Sequence, residues 1–293
     1  MTHTHDHADL KQPMNPDQTA RSRRNLLIFV LVSITCGWLG VALDALLASP
    51  RYTPGLGMLL WILAPAVAAC MLRAWGGDGW QDAAWRPRCK AAWGGYVLAL
   101  LLFPLLSLLV FVPAIGLGAC TVRAGGVQGW MALAPVFASV LVGTLVKNIF
   151  EEWAWRGYLT GRLAALGIRP LYNHGLTGLV WASWHVPYWL YFVDVRSFTE
   201  LDPYSFAAWG ALILLISAVT YGELRLLCQS VWPGVLLHSV ANAVTAALVL
   251  NAFVDCVGVP GLLLAPDNRG LLHACLFAGV GWVLYRVRRR LIS

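Results

Sequence analysis

The sequence predicts an all-α bundle of about eight membrane-spanning helices, and three observations carry that reading. Hydrophobic residues make up 59% of the 293 residues and charged residues only 12%, where an ordinary soluble domain carries roughly 25% charged residues. The apolar residues gather in continuous runs of helix-spanning length and lack the period-two alternation of a membrane barrel. The cations between those runs alternate in density from one connecting segment to the next. Together these exclude a disordered chain and a secreted cysteine scaffold. They also exclude nucleic acid as a partner despite the net charge of +7, which reads instead as an orientation signal facing a lipid bilayer.

In chain order, residues 1–24 form a polar stretch with His3, His5 and His7 at alternate positions, read as a flexible cytoplasmic tail rather than a metal site. The first apolar run follows it at full span length, so no cleavable signal peptide is expected. Residues 25–293 read as one membrane-embedded domain with spans near 25–48, 55–72, 92–118, 130–150, 174–192, 206–221, 231–254 and 271–287. The third contains Pro104 and Pro113, which predict a kink or tilt. The sixth is the shortest. With the N-terminus cytoplasmic, Arg51, Arg123, Arg196 and Arg269 fall in outer segments. Lys147 lies within a span, and the other sixteen of the 21 Lys and Arg residues fall on the inner side. That asymmetry places both termini in the cytoplasm.

The seven cysteines are scattered, with no pair at zinc-finger spacing. Cys120 and Cys256 both fall at outer ends of spans, and they are the one pair positioned for a disulfide if the outer compartment is oxidising. No internal repeat and no Gly-rich phosphate loop is present, which counts against a transporter with a midplane ion site.

Ionisable groups inside spans are costly and mark candidate sites. The fourth span ends Lys147-Asn148-Ile149-Phe150-Glu151-Glu152-Trp153-Ala154-Trp155-Arg156, the fifth contains Trp181-Ala182-Ser183-Trp184-His185, and the seventh contains His238-Ser239-Val240-Ala241-Asn242. Glu152 and Arg156 are four apart and share a helical face, where an ordinary ion pair is the plain structural reading. Glu151 is turned about 100° from Glu152 and addresses another neighbour. His238 and Asn242 also share a face. By helical rise, His185 lies roughly 18 Å from the inner surface and His238 with Asn242 about 10 to 17 Å, so all three helices can meet at one depth. A carboxylate beside an imidazole can deprotonate water, and a histidine with an amide can donate to the oxyanion that follows. Glu151, His185 and His238 also match a zinc ligand set with water as the fourth ligand. Asn242 argues the other way, since an amide donates well to an oxyanion and binds zinc poorly. Taken singly, each histidine or Asn242 is equally an interhelical hydrogen bonder.

These three segments resemble the CPBP intramembrane proteases, which include the CAAX prenyl endopeptidases and the Abi proteins. That family carries Glu-Glu-x-x-x-Arg, then Phe-x-x-x-His, then His-x-x-x-Asn or His-x-x-x-Asp, on successive membrane helices. The matching positions here are Glu151 to Arg156 followed by Gly157, Trp181 to His185 with Trp in place of Phe, and His238 to Asn242 after Ser230-Val231-Trp232-Pro233-Gly234. The resemblance covers roughly 148–244. It implies an eight-helix peptidase opening to the cytoplasm, acting on a membrane-associated protein or peptide without a bound cofactor. Glu151 and His185 would activate water, His238 and Asn242 would stabilise the oxyanion, and Glu152 and Arg156 would support the first motif. A zinc-dependent version, or a non-catalytic scaffold or immunity protein of the same fold, are the alternatives. Two finer expectations follow. Trp181 should be a packing substitution only, and Lys147 should snorkel away from Glu151, since a pair would engage the proposed base.

Overall fold

The computed structural model describes residues 15–123, 126–250 and 253–292. Helix α1 (Pro16–Leu46) starts with a reciprocal cap: the Asn15 side chain accepts from the Gln18 N–H, and the Gln18 side chain accepts from the Asn15 N–H. Pro16 occupies the first helical position, where its missing N–H loses no bond. Residues 16–24 are therefore helical, which corrects the reading of 1–24 as one polar tail. His3, His5 and His7 lie outside the described residues. Helix α2 (Leu56–Ala74) packs on α1 where Gly40 meets Gly57, since a Cβ on Gly40 would fall 2.3 Å from the Gly57 carbonyl oxygen.

Helix α3 (Trp93–Gly116) runs unbroken through Pro104 and Pro113. Helix α4 (Gly126–Glu152) continues through a π turn (Trp153–Leu159) into α5 (Thr160–Ala165). Helix α6 (Pro170–Pro187) begins on a proline and ends in a second π turn (Tyr188–Phe192). Helix α7 (Pro203–Cys228) is capped by Asp202 and stopped by Gln229 in the left-handed conformation at φ +49°. Helix α8 (Trp232–Thr245) passes into a third π turn (Ala246–Leu250), and α9 (Gly258–Leu264) and α10 (Leu271–Ile292) complete the chain.

Among the described residues the fold is all-α apart from one antiparallel ribbon, in which β1 (Cys120–Val122) pairs with β2 (Val254–Cys256). Three-residue strands carry no legible alternation, so the sequence did not announce them. Cys120 and Cys256 face each other in this ribbon and form a disulfide.

Each predicted span overlaps a helix, although the seventh, 231–254, extends beyond α8 and its π turn to Val254 in β2. Among the described residues, five helical stretches are long and apolar enough to cross a membrane: Pro16–Leu46, Leu56–Ala74, Trp93–Gly116, Met131–Ala165 and Pro203–Cys228. The motif helices α6 and α8 are not among them: α8 is too short, and α6, with Asn173, His174 and His185 in its 18 residues, is not apolar enough. Helix α8 is only 14 residues long and packs between α3 and α4, while α6 packs on α7 and α1.

The 75–92 connection is bound tightly to one end of this bundle. Arg73, fully buried, donates at 2.6 Å each to the Gly79 carbonyl, Asp82 Oδ1 and the Gly157 carbonyl. Arg162 reaches Asp82 at 3.1 Å, Tyr158 donates to Asp78 at 2.6 Å, and Arg225 donates to the Asp82 and Arg156 carbonyls. Arg73 of α2 and Arg225 of α7 thus satisfy the Gly157 and Arg156 carbonyls of the first π turn, where the regular ladder is interrupted, while the loop's Asp82 is paired with Arg73.

Candidate active site

The π turn after Glu152 changes the helical register directly behind the two glutamates, a kind of irregularity that often accompanies function. Glu151, Glu152 and Arg156 are all buried. Glu152 Oε1 accepts from Arg156 Nη1 at 2.9 Å, the i,i+4 pair that the spacing implied, and from His238 Nδ1 at 3.0 Å. The first and third motifs are therefore in direct contact. Glu152 Oε2 lies over Gly234, where a Cβ would sit 3.0 Å away, so the glycine of the Pro-Gly step makes room for the carboxylate. The Arg156 guanidinium stacks over the rings of Trp181 and Tyr221, at 4.3 and 4.6 Å.

Glu151 points away from Glu152, as helical geometry requires, but its surroundings differ from expectation in two ways. Its Oε1 pairs with Lys147 Nζ, so the lysine does not snorkel away. Burial explains this: Glu151 is enclosed, Lys147 is partly exposed one turn before it, and the ammonium is the cation that can reach it along its own helix. Glu151 Oε2 accepts from Trp181 Nε1 at 3.2 Å. The tryptophan in the phenylalanine position is thus a hydrogen-bond donor to the motif glutamate as well as a packing residue. Phenylalanine lacks that N–H.

His185 is half-buried among Trp61, Trp184 and Trp189, stacking on Trp189 with centroids 5.1 Å apart. Its Nδ1 lies 2.9 Å from the Trp181 carbonyl. A carbonyl only accepts, so Nδ1 carries a proton and the neutral ring presents Nε2 as a proton acceptor. Glu151 interacts electrostatically with both His185 and His238, without a hydrogen bond to either among the described residues. Asn242 Nδ2 donates to Asn148 Oδ1 at 3.5 Å, and Asn148 in turn donates to Ser239 Oγ at 3.0 Å. The second N–H of the Asn242 amide is thereby left for another acceptor.

The structure therefore draws Glu151, Glu152, Arg156, His185, His238 and Asn242 to one place between α4, α6 and α8. Asn148, Ser239 and Tyr221 join them without having been assigned a role from sequence. Asn148 and Ser239 were signalled only as polar residues within apolar runs, and Tyr221 carried no distinguishing signal. A second buried set, His174, Glu223 and Arg288, ties α6, α7 and α10 together through contacts of 2.7 Å and is separate from the motifs. Among the described residues no group of three His, Cys, Asp or Glu side chains converges as a metal-binding set.

A buried carboxylate, an acceptor imidazole, and an imidazole with an amide able to donate nearby are the parts needed for hydrolysis of a carbonyl compound by activated water. Residues 133–244, which contain all three motifs, match the family described as Rce1-like, type II CAAX prenyl endopeptidase. Comparison with curated proteins finds no match to this chain. With five helices able to cross a bilayer, this is an integral membrane protein, and the segment that carries its motifs is similar to the CAAX prenyl endopeptidases, a family of peptidases.

Proposed function

We propose that the chain is an intramembrane endopeptidase of glutamate type, cleaving a peptide bond near the C-terminus of a lipid-modified or membrane-anchored protein. It would do so as one domain of eight spans, residues 25–293, with both termini in the cytoplasm. The observation that carries the reading is the junction of three motif helices at the adjacent glutamates: Glu152 with His238 and Glu151 with Trp181, one turn before His185.

In this reading Glu151 takes one proton from a water that also donates a hydrogen bond to His185 Nε2, as the water oxygen adds to the scissile carbonyl. His238 and Asn242 donate to the resulting oxyanion. Collapse of the adduct breaks the C–N bond, and the proton held by the base passes to the departing amine. Because His238 Nδ1 is directed at Glu152, His238 can donate from Nε2 only as the imidazolium, for which Glu152 is the counter-charge. Glu152 and Arg156 thus act by holding His238 and the rings beneath it. Lys147 has to release Glu151 as substrate enters.

The Lys147–Glu151 pair is also the observation that favours a second reading, a non-catalytic protein of the same fold in which that pair is permanent. Purified protein in nanodiscs, given a membrane-anchored peptide carrying a fluorescent tag beyond the cleavage site, separates the two. Glu151→Gln should abolish turnover while the protein still folds and binds the peptide. Glu152→Gln should lower stability and slow turnover without abolishing it. Turnover by folded Glu151→Gln at the wild-type rate would exclude Glu151 as the base. No turnover by wild type against a library of prenylated and transmembrane peptides would favour the second reading.

A further inference from the structure

Beyond the C-terminal end of α6, its π turn, the α1–α2 loop and the first turn of α7 enclose a cleft of about 290 Å³. Its lining includes Arg51, Tyr52, Tyr191, Arg196, Asp202 and Tyr204. Four arginines fall in segments predicted to lie outside. Arg123 pairs with Asp255 and Arg269 with Asp267. The remaining two, Arg51 and Arg196, both line this cleft, and neither has a carboxylate at ion-pair distance among the described residues.

The cleft is shaped around Arg51. Its guanidinium lies 5.2 Å from the Tyr52 ring centroid and 5.5 Å from that of Tyr191, and it donates to the Leu190 carbonyl at 3.3 Å. One guanidinium edge is thus fixed and the other donors remain available to a ligand. Tyr52 adopts φ +63°, a left-handed conformation unusual for an aromatic residue and of the kind found at ligand clamps.

The acid in the lining is already committed. Asp202 Oδ1 accepts from the Tyr204 and Ser205 N–H groups at 3.0 and 3.2 Å, and Oδ2 accepts from the Ser205 hydroxyl at 2.5 Å. These bonds, the Ser205 hydroxyl first, hold its carboxyl below the usual range, so it stays charged and bound to the helix. Two arginines and one carboxylate leave a single net positive charge, which matches a phosphodiester. Leu46 and Leu47, exposed at the end of α1, supply apolar surface a few residues before Arg51.

We propose that this cleft binds a phosphate ester through Arg51 and Arg196, carried either by a phospholipid headgroup or by a small soluble phosphate. The proposal does not depend on the catalytic reading. Wild type and Arg51→Gln/Arg196→Gln are compared in detergent by native mass spectrometry and thermal unfolding. The added probes are phosphatidylglycerol, phosphatidylcholine, or glycerol 3-phosphate. Arg196→Gln alone guards against misfolding, since the Arg196 side chain holds no backbone carbonyl among the described residues. Arg23→Gln/Arg24→Gln removes two cations elsewhere.

Wild type should retain phosphatidylglycerol at least tenfold better than the Arg51/Arg196 variant, and the Arg23/Arg24 variant should behave as wild type. Selective stabilisation by glycerol 3-phosphate instead identifies a soluble ligand and equally supports the site. Equal retention by wild type and the Arg51/Arg196 variant overturns the proposal. So does an equal loss in the Arg23/Arg24 variant, since binding would then follow total charge alone.

Discussion

At the scale of single residues, the polar chemistry was legible and its partners were not. Glu152, Arg156, His238 and Asn242 stood out because charge and amide groups inside apolar runs need a reason. The i,i+4 arithmetic placed Glu152 with Arg156 correctly. Trp181 was read as bulk because an indole in a phenylalanine position looks like packing, whereas its N–H reaches Glu151. Lys147 was expected elsewhere on functional grounds, yet an enclosed carboxylate takes the cation it can reach. The indole bond makes a specific expectation. Trp181→Phe keeps most of the ring and removes one donor from the Glu151 carboxylate, a bond worth about 1.5–3 kcal/mol when the acceptor is charged. We expect kcat to fall roughly tenfold or more with KM unchanged. Steady-state kinetics on the tagged peptide measure both, and a change in KM alone would reduce Trp181 to a packing or binding role.

Among the elements, the helices followed from apolar run length and the connections between them did not. The sequence assigns the 75–92 loop no role, but Asp78 and Asp82 within it are the carboxylates that Arg73, Arg162 and Tyr158 engage. Nothing local in the sequence marks the pairing with Tyr158 and Arg162, because α3 and α4 lie between them and the loop and they meet only after the bundle forms. The loop is thereby a structural brace for the π turn behind the glutamates. Arg73→Met would leave Asp82 and the carbonyls of Gly79 and Gly157 without that donor. The expected loss is about 3–5 kcal/mol, the range for removing one partner of a buried pair. Thermal unfolding in detergent should show it as a clearly lowered midpoint, and an unchanged midpoint would mean that water replaces the guanidinium. The start of α1 shows the converse case. Asn15, Pro16 and Gln18 form a legible cap, but the charges that follow resemble a tail and hid it.

For the whole molecule, the all-α membrane class was evident from composition, while the ribbon that joins two distant connections was not. The cation asymmetry predicts that a reporter fused at Ser293 and one inserted in the 194–204 loop lie on opposite sides of the membrane. Accessibility labelling of both decides it, and a shared side would break the eight-span topology. The Cys120–Cys256 bond was foreseen as a positional coincidence of two outer cysteines, and the ribbon explains why they meet. Every motif residue from Glu151 to Asn242 lies between these two cysteines in sequence, so the bond encloses the whole site in one covalent ring with a sequence separation of 136. Mechanical load applied through the termini would travel along α1 to α3, cross the sulfur bridge, and leave through α9 and α10. The site-bearing segment would carry none of it. In single-molecule pulling from the two ends, the enclosed chain should stay hidden under oxidising conditions. Reductant should then release an additional length of roughly 450–490 Å, the extended reach of that many residues.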